Sequence, residues 1–301
     1  MEDRLQKFAK LVDAGSFTKA AEVLHISQPA LSTAINKLER ELHTTLLLRG
    51  TRPLKLTPSG EAAYAHAKET AVRTGNLRLY ISQTTQEKLA VKVGMIDSLA
   101  DALLERGQGL SKLEQRASVS LVVDNSRNLA GAVARGDIDV AFVVEQNKYG
   151  DNIRAEHVGS EPLVLVCHRA LLADSQRAFV QGELPNFISY DQNSNTFRLI
   201  QWALADRNVT VQPTFYSTSP EVIRKLVLAQ KGVAVLPYLM VREFLGQDLL
   251  VPAATGDSPI IRRPILAIQH RDKLLPKPLV HLVGQLRKLL ETLTNETTLH
   301  A

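Results

Sequence analysis

SFTKAAEVLHISQPALSTAINKLER, residues 16–40, has apolar side chains at spacings of three and four residues. This periodicity predicts amphipathic helices. His25-Ile26-Ser27 interrupts the pattern and Gln28-Pro29 restarts it, with Pro29 suited to the first turn of a helix. We therefore predict two short helices joined by a tight turn. We also expect the Ser16 hydroxyl to cap the first of them.

The second of these helices, residues 28–42, has two contrasting faces. Leu31, Ile35, Leu38 and Leu42 form an apolar stripe. Amides, hydroxyls and cations, the groups that read base edges and hold phosphates, occupy the other face. An ordinary solvated face would have a similar composition, so the helix pair alone is only suggestive. The polar residues are Gln28, Ser32, Thr33, Asn36, Lys37 and Arg40.

The next segment, LLLRGTRPLKLTPSG at residues 46–60, has two apolar runs around a basic centre. This pattern predicts a small hairpin with a cationic tip. A helix-turn-helix followed by a basic wing is a DNA-binding unit. We expect residues 28–42 to enter the major groove as the recognition helix and residues 46–57 to contact the flanking backbone as the wing.

These motifs together resemble the signature of the LysR-type transcriptional regulators. Two residues depart from it: His43 stands where the family usually has Gly, and Leu47 replaces the usual Phe. The resemblance implies that Arg49 and Arg52 meet phosphates or the edge of the minor groove, although Arg49 could instead pair with Glu39. The other DNA-contacting residues implied are Ser27, Gln28, Pro29, Ser32, Thr33 and Asn36. The matching residues are Ser16-Phe17, Ala20-Ala21, Leu24, Ser27 to Ser32, Ile35, Leu38-Glu39, Arg49, Leu56-Thr57 and Gly60.

The composition of the 301-residue chain is that of a globular protein, with 45% apolar and 22% charged residues. Its net charge is +5, and residues 1–88 hold 13 Lys and Arg against 9 Asp and Glu, so the excess lies in the expected DNA-binding part. The single cysteine, Cys167, lies in an apolar run, where we expect a packed thiol. With no signal peptide or membrane span in the sequence, we expect a cytoplasmic protein.

A long helix should begin at Thr57-Pro58 and run to about residue 86, with many small side chains that let another helix approach. In the family this position holds the dimerising linker helix. From residue 88 strands and helices alternate, which predicts a parallel, doubly wound sheet. Residues 262–269 should cross back between two lobes, and 279–293 should form a C-terminal helix. The two lobes resemble the family's periplasmic-binding-protein-like effector domain.

The expected architecture is therefore α/β with three parts. Residues 1–58 form a winged helix-turn-helix domain, 59–87 a linker and dimerisation helix, and 88–301 the effector-binding domain. Lobe I of that domain spans about 88–162 and 264–301, and lobe II about 163–263.

Hydroxyl and amide residues follow several of the expected strands, where helix N-termini present free N–H groups. By resemblance, Ser98, Ser126, Ser194, Thr196 and Thr218 lie near effector-contacting positions. The same residue types are preferred helix caps, so capping alone is an equal alternative. Asp97 would repel an anionic effector unless a cation such as Arg198 or Lys148 faces inward.

Enzyme and solute-binding functions are the alternatives. The sequence has no phosphate-binding loop, zinc-protease or hydrolase motif, and its eight histidines lack ligand spacing. A solute-binding protein would not need the N-terminal DNA-binding unit. We therefore expect a regulator that binds double-stranded DNA at a promoter inverted repeat, as a dimer through the linker helix or as a tetramer. A small-molecule co-inducer or co-repressor is expected, with no other cofactor, metal or membrane partner. RNA polymerase would be a partner of an activator, and activation and repression are both open.

Overall fold

The computed structural model describes residues 1–48, 53–82, 88–105, 114–115, 117–146, 148–254 and 259–296. The chain forms two compact units. One contains residues 1–85 with 272–274, and the other contains residues 86–271 with 275–301.

The first unit is built on helices α1 (Glu2–Ala14), α2 (Phe17–Val23) and α3 (Gln28–Glu41). Its core joins the apolar faces of all three helices with Leu46. Gly15 ends α1 in the left-handed conformation, at φ 65°. The recognition helix was predicted to reach Leu42, but this residue is already the C-cap.

The two helix starts behave differently. Ser27 caps α3, since its hydroxyl accepts a hydrogen bond from the Ala30 N–H at 3.3 Å. Ser16 occupies the N-cap position of α2 in an extended conformation, but its side chain makes no capping hydrogen bond. The predicted Ser16 cap was therefore wrong. Correct backbone placement at a cap does not oblige the hydroxyl to turn toward the helix.

The wing is a short antiparallel hairpin in which Leu47 pairs with Leu56. Gly60 lets the next helix start close to it, because a Cβ there would lie 2.0 Å from the Leu46 carbonyl oxygen. His43 has a φ of 51°, in the left-handed region. That conformation favours Gly, which explains the family preference at this position. The predicted wing-tip residues Arg49 and Arg52 lie outside the described residues.

Helix α4 runs from Pro58 to Ser82. As predicted, Thr57 caps it, since its hydroxyl accepts from the Gly60 N–H at 3.0 Å. The helix packs on α1, where Asp13 accepts hydrogen bonds from Tyr64 (2.6 Å) and Lys68 (2.7 Å). The predicted continuation toward residue 86 lies outside the described residues.

The second unit is an α/β domain whose main sheet has the strand order β2-β1-β3-β9-β4-β7, with β8 beside β4. A separate pair is formed by β5 and β6. The strands are β1 (Leu89–Met95), β2 (Ala117–Val123), β3 (Val140–Val144), β4 (Ile153–His168), β5 (Glu183–Tyr190), β6 (Thr210–Ser217), β7 (Ala234–Pro237), β8 (Leu250–Pro252) and β9 (Ile261–His270). The helices are α5 (Asp97–Glu105), α6 (Ser126–Ala134), α7 (Leu172–Val180), α8 (Asn195–Ala205), α9 (Pro220–Leu228), α10 (Tyr238–Gly246) and α11 (Lys277–Glu296).

The sequence pattern predicted a parallel sheet, but the main sheet is mixed. Strands β2, β1 and β3 are parallel, but β9 runs antiparallel to both β3 and β4. Strands β4 and β9 are long and cross from one lobe into the other, each lobe having its own apolar core. Because both crossings run side by side in opposite directions, the sheet has to be mixed. The two-lobed α/β effector fold itself is confirmed.

Strand β4 is longer than predicted. The prediction placed a strand only over residues 162–167, the apolar run, whereas β4 begins at Ile153. Its first half, IRAEHVGSE, pairs with β9, but residues 154–157 are all exposed and the segment is mostly polar, so the sequence contains no apolar run there. Helix α7, strand β6, helix α10 and strand β8 were also missed.

Candidate functional site

The two faces of α3 differ in exposure as its sequence predicted. Leu31, Ile35 and Leu38 are buried in the core of the first unit. The polar residues of the opposite face are exposed, except Ser32, which is half-buried. No ion pair to Lys37 or Arg40 occurs within the described ranges, so both charges remain available. The predicted contact residues on this surface are Ser27, Gln28, Pro29, Ser32, Thr33 and Asn36.

The wing is attached to α3 through Glu39. The Glu39 carboxylate accepts hydrogen bonds from the backbone N–H groups of Leu46 (2.7 Å) and Leu47 (3.3 Å). This carboxylate therefore fixes the base of the hairpin against the recognition helix. A groove of about 540 Å³ lies between α3 and the wing and is lined by Gln28, Ser32 and Asn36, among others.

In the second unit a cavity of about 440 Å³ opens between the two lobes. Lobe I contributes the ends of β1, β2 and β3 and the helices that follow the first two. Lobe II contributes the end of β5, the start of α8 and the turn before α9. All five predicted effector-site residues line it: Ser98, Ser126, Ser194, Thr196 and Thr218.

A buried ion pair lies at the cavity, and its Arg263 is part of the lining. We call Ser98, Glu161, Thr196 and Arg263 together the cavity floor. Arg263 on β9 pairs with Glu161 on β4 at 2.6 Å, and both side chains are inaccessible to solvent or nearly so. The same guanidinium donates to the Ser98 hydroxyl (3.0 Å, lobe I) and to the Thr196 hydroxyl (2.9 Å, lobe II). Arg263 therefore links the first turns of α5 and α8, one from each lobe.

The remaining hydroxyls have separate roles. Ser194 caps α8, accepting from the Phe197 N–H at 3.0 Å. Ser126 does not cap its helix, because its hydroxyl accepts from the Val144 N–H at 3.0 Å. Asn125 is the cap there, accepting from the Asn128 N–H at 3.0 Å. Capping, the alternative considered for all of these residues, thus holds for Ser194 and is wrong for Ser126.

Ser98 is not a helix cap either. It lies inside the first turn of α5, after Asp97, and its hydroxyl accepts from Arg263. Thr218 lines the cavity in the turn before α9, and the neighbouring Ser219 occupies the N-cap without a side-chain capping bond.

Two further hydrogen bonds cross between the lobes beside the cavity. The Asn195 amide donates to the Glu145 carbonyl at 2.9 Å, and the Arg127 guanidinium donates to the Asn193 carbonyl at 3.4 Å. The first involves the N-terminal residue of α8, and the second the residue just before its N-cap. Together with the Arg263 cluster, they hold the start of α8 against lobe I.

The cavity contains groups of both charges. Asp97, Asp124 and Asp191 supply carboxylates, and Arg127, Lys148 and Arg198 supply cations. Partial burial raises the pKa of Asp97, an effect that the Arg263 charge opposes and that Asp124 and Asp101 reinforce. Burial also raises the pKa of Tyr190, so its phenol stays protonated.

The predicted site residues did not include Glu161, Arg263 or Tyr190. Consecutive arginines inside the apolar strand IIRRPILAI were a signal, because a buried Arg needs a partner. The partner is 102 residues away, so no local pattern could identify it.

Cys167 is buried, and burial raises the pKa of its thiol, an effect that a hydrogen bond with Ser175 opposes. This environment is that of the expected packed thiol. Within the described parts of the chain, no cluster of His, Cys, Asp and Glu is arranged to hold a metal ion. Nor is any described helix long and apolar enough to cross a membrane.

Family models match both units of the chain. Residues 3–61 match the bacterial regulatory helix-turn-helix protein family of LysR type, and residues 84–291 match the LysR substrate binding domain. The chain belongs to the LysR family of transcriptional regulators. It is a DNA-binding regulator with an effector-binding domain rather than an enzyme.

Known LysR-type proteins resemble it over almost their whole length. The Hca operon transcriptional activator HcaR of Escherichia coli is 28% identical over 265 residues, covering 85% of this chain and 88% of HcaR. A full-length OxyR variant of Pseudomonas aeruginosa has a similar fold, with a TM-score of 0.67 at 19% identity over 95% of this chain and 97% of that one. DarR of Vibrio fischeri, solved in complex with DNA, has a TM-score of 0.50 at 21% identity over 97% of this chain and 99% of that one.

Proposed function

We propose that this LysR-type regulator reads its operator with the exposed polar face of α3. Gln28, Ser32, Thr33 and Asn36 would reach base edges, while Ser27 and Pro29 set the start of the helix against the backbone. The observation that carries this proposal is the separation of the two α3 faces. Apolar residues are buried on one side, and hydroxyls, amides and free cations are exposed on the other.

The wing supplies contacts that do not depend on sequence. Arg49 and Arg52 at its tip would meet phosphates or the edge of the minor groove, adding affinity that falls as salt rises. The bonds from Leu46 and Leu47 to Glu39 support this role, since they hold the hairpin beside the reading face. Loss of one such phosphate contact should reduce the salt slope by about one.

The protein would act as a dimer or tetramer on an interrupted inverted repeat. Leu77, Tyr80 and Ile81 on α4 are more than half exposed, which supports pairing of α4 with the same helix of a second copy. Two recognition helices related by a two-fold axis require two half-sites separated by whole helical turns.

A small molecule bound in the cavity between the lobes would control this DNA binding in the cytoplasm. Ser98, Ser126, Ser194, Thr196 and Thr218 line the cavity and support this assignment. Ligand binding at the Arg263 cluster would change how the first turns of α5 and α8 are held. An activating response would further require contact with RNA polymerase.

The test is a gel shift and footprint on the DNA upstream of the gene, with random DNA of equal length for comparison. Gln28→Ala should cost about 1–3 kcal/mol of binding free energy on the operator and much less on random DNA, because its amide can pair bidentately with adenine. A matched control is Gln115→Ala, an exposed glutamine of the second unit, which should bind as the unchanged protein does. Equal losses on both DNAs would remove Gln28 from the specificity residues.

A further inference from the structure

We propose that the ligand of this cavity is a small zwitterion, of the chemical class of the free α-amino acids. This inference rests on the proposed effector role of the cavity and adds the class of molecule bound. Its cationic amine would meet Asp97 and Tyr190, and its carboxylate would meet the N-terminus of α8.

The amine end of the site is defined by Asp97. The Asp97 carboxylate is half-buried, and no described residue donates a hydrogen bond to it or pairs with it directly. The nearby Arg263 charge is already neutralised by Glu161. Asp124, also at the cavity wall, accepts from the Asn125 N–H and the Asn128 amide, with no cation bonded to it among the described residues. In the described part of the chain, this side of the cavity therefore carries negative charge that no bonded cation offsets.

A second observation at the same place is the Tyr190 phenol. Tyr190 is 6% exposed and lines the cavity, and its buried hydroxyl has no hydrogen-bond partner among the described residues. Buried polar groups in folded proteins are nearly always bonded to protein, water or ligand. Tyr190 lies close enough to Asp97 for the two groups to interact electrostatically. An ammonium group has three donors and can satisfy both oxygens.

The carboxylate end of the site is defined by the first turn of α8. The backbone N–H groups of Asn195 and Thr196 have no hydrogen-bond partner among the described residues, at the positive end of an 11-residue helix. Gln146 also lines the cavity, and its buried amide nitrogen is a donor that has no partner within the described residues. The Glu145 carbonyl accepts from Asn195, which places this segment against the helix start. Asp191 also lines this end and keeps its negative charge, since its carboxylate accepts only a neutral bond from the Asn193 N–H among the described residues. The cations Arg127 and Arg198, which bond to Asn193 and Asn195, offset that charge.

Other ligand classes fit less well. An anion without an amine could meet the cations Arg127, Lys148 and Arg198 of the lining, but it would leave Tyr190 unsatisfied and would place a second negative charge near Asp97. A neutral apolar molecule would desolvate Asp97, Tyr190 and Gln146 without bonding to any of them. A molecule with a cation at one end and an anion at the other satisfies all of these groups at once.

The experiment is a thermal-shift screen of the full-length chain with the standard L-amino acids at about 10 mM, a hundred times a dissociation constant of about 0.1 mM. For each amino acid that raises the melting temperature, the matching 2-hydroxy acid and the matching decarboxylated amine are tested at the same concentration. We expect at least one amino acid to stabilise the chain, and its two analogues, each lacking one charged end, to bind at least about tenfold more weakly.

Asp97→Asn removes the charge and keeps the shape, so it should weaken binding of the responding amino acid by about tenfold or more in titration calorimetry. The matched control is Asp151→Asn, which changes an exposed aspartate outside the cavity. This variant should bind the responding amino acid as tightly as the unchanged protein does. The inference is overturned if no amino acid stabilises the chain or if the hydroxy acid binds as well as the amino acid. An unchanged affinity of Asp97→Asn, with the fold confirmed by its melting curve, would overturn it too.

Failure of the inference is separable from failure of the proposed function. A gel shift on the operator is run on the same preparation, both without added ligand and with each amino acid. If the protein shifts the operator but no amino acid stabilises it, only the ligand class is wrong. If it does not bind the operator, the proposed function fails, whatever the thermal shifts show.

Discussion

The exposed face of α3 and the floor of the interlobe cavity are built from similar polar side chains. These side chains are mostly exposed to solvent on α3 and buried on the cavity floor. On α3 the hydroxyls, amides and cations follow one another on a single helix and mostly face solvent. On the cavity floor Ser98, Glu161, Thr196 and Arg263 come from four elements and are all at least 94% buried. The first set remains available to a partner from outside, whereas the second satisfies itself internally.

This difference predicts whether a mutation should mainly change DNA binding or mainly change the stability of the fold. A polar group that is solvated in the free protein can be removed with little loss of stability, so its effect falls on binding. A buried group that bonds another buried group cannot be removed without leaving that partner unsatisfied, so its effect falls on folding. Three pairs of variants, compared by urea denaturation of the full-length chain, test this difference.

The largest expected effect is that of Glu161→Gln. Neutralising this carboxylate leaves the buried Arg263 charge without its counter-ion, which should lower the free energy of unfolding of the second unit by about 3–5 kcal/mol. The matched control is Glu156→Gln, which breaks the Glu156–Arg287 pair at 2.6 Å on the surface. That pair is largely solvated, so its loss should change the stability by no more than about 1 kcal/mol. Equal effects of the two variants would mean that burial does not distinguish the pairs.

A smaller effect is expected for Ser98→Ala. Its hydroxyl accepts from Arg263 at 3.0 Å, and removing it leaves a buried donor without a partner, at a cost of about 1–3 kcal/mol. Ser32→Ala on the polar face of α3 is the matched change at a half-exposed site, and it should alter stability by less than about 0.5 kcal/mol. If Ser32→Ala were the more destabilising variant, the contrast between the two regions would be wrong.

The smallest expected difference lies between two serines at helix starts in the first unit. Ser27→Ala should lower stability by about 0.5–2 kcal/mol, because its hydroxyl caps α3 at the Ala30 N–H. Ser16→Ala should have almost no effect, since the Ser16 side chain makes no capping bond to α2. A loss for Ser16→Ala as large as that for Ser27→Ala would show that Ser16 caps its helix in solution.

For the effector-site residues, local sequence rules predicted the position at the cavity but not the hydrogen-bond partners. All five predicted residues line the cavity, because the carboxyl ends of strands converge in an α/β fold. Their individual bonds were not foreseen. Ser194 and Ser27 are caps, as their positions suggest. Ser98 and Ser126, which lie on helices, instead accept hydrogen bonds from groups on strands β9 and β3. A hydroxyl can accept a hydrogen bond from any nearby donor, and the tertiary fold determines which donor lies near it.

The helix-turn-helix, the wing and the α4 cap could be predicted from the sequence, because apolar periodicity, caps and turn residues act over a few positions along the chain. The two-lobed α/β architecture was implied by the resemblance to the LysR family. The antiparallel pairing of β4 with β9, the bonding of Glu161 to Arg263 and the burial of Tyr190 beside Asp97 depend on the tertiary structure. Such contacts join residues tens to more than a hundred positions apart. Their energies depend on burial and distance, which no local pattern of residues specifies.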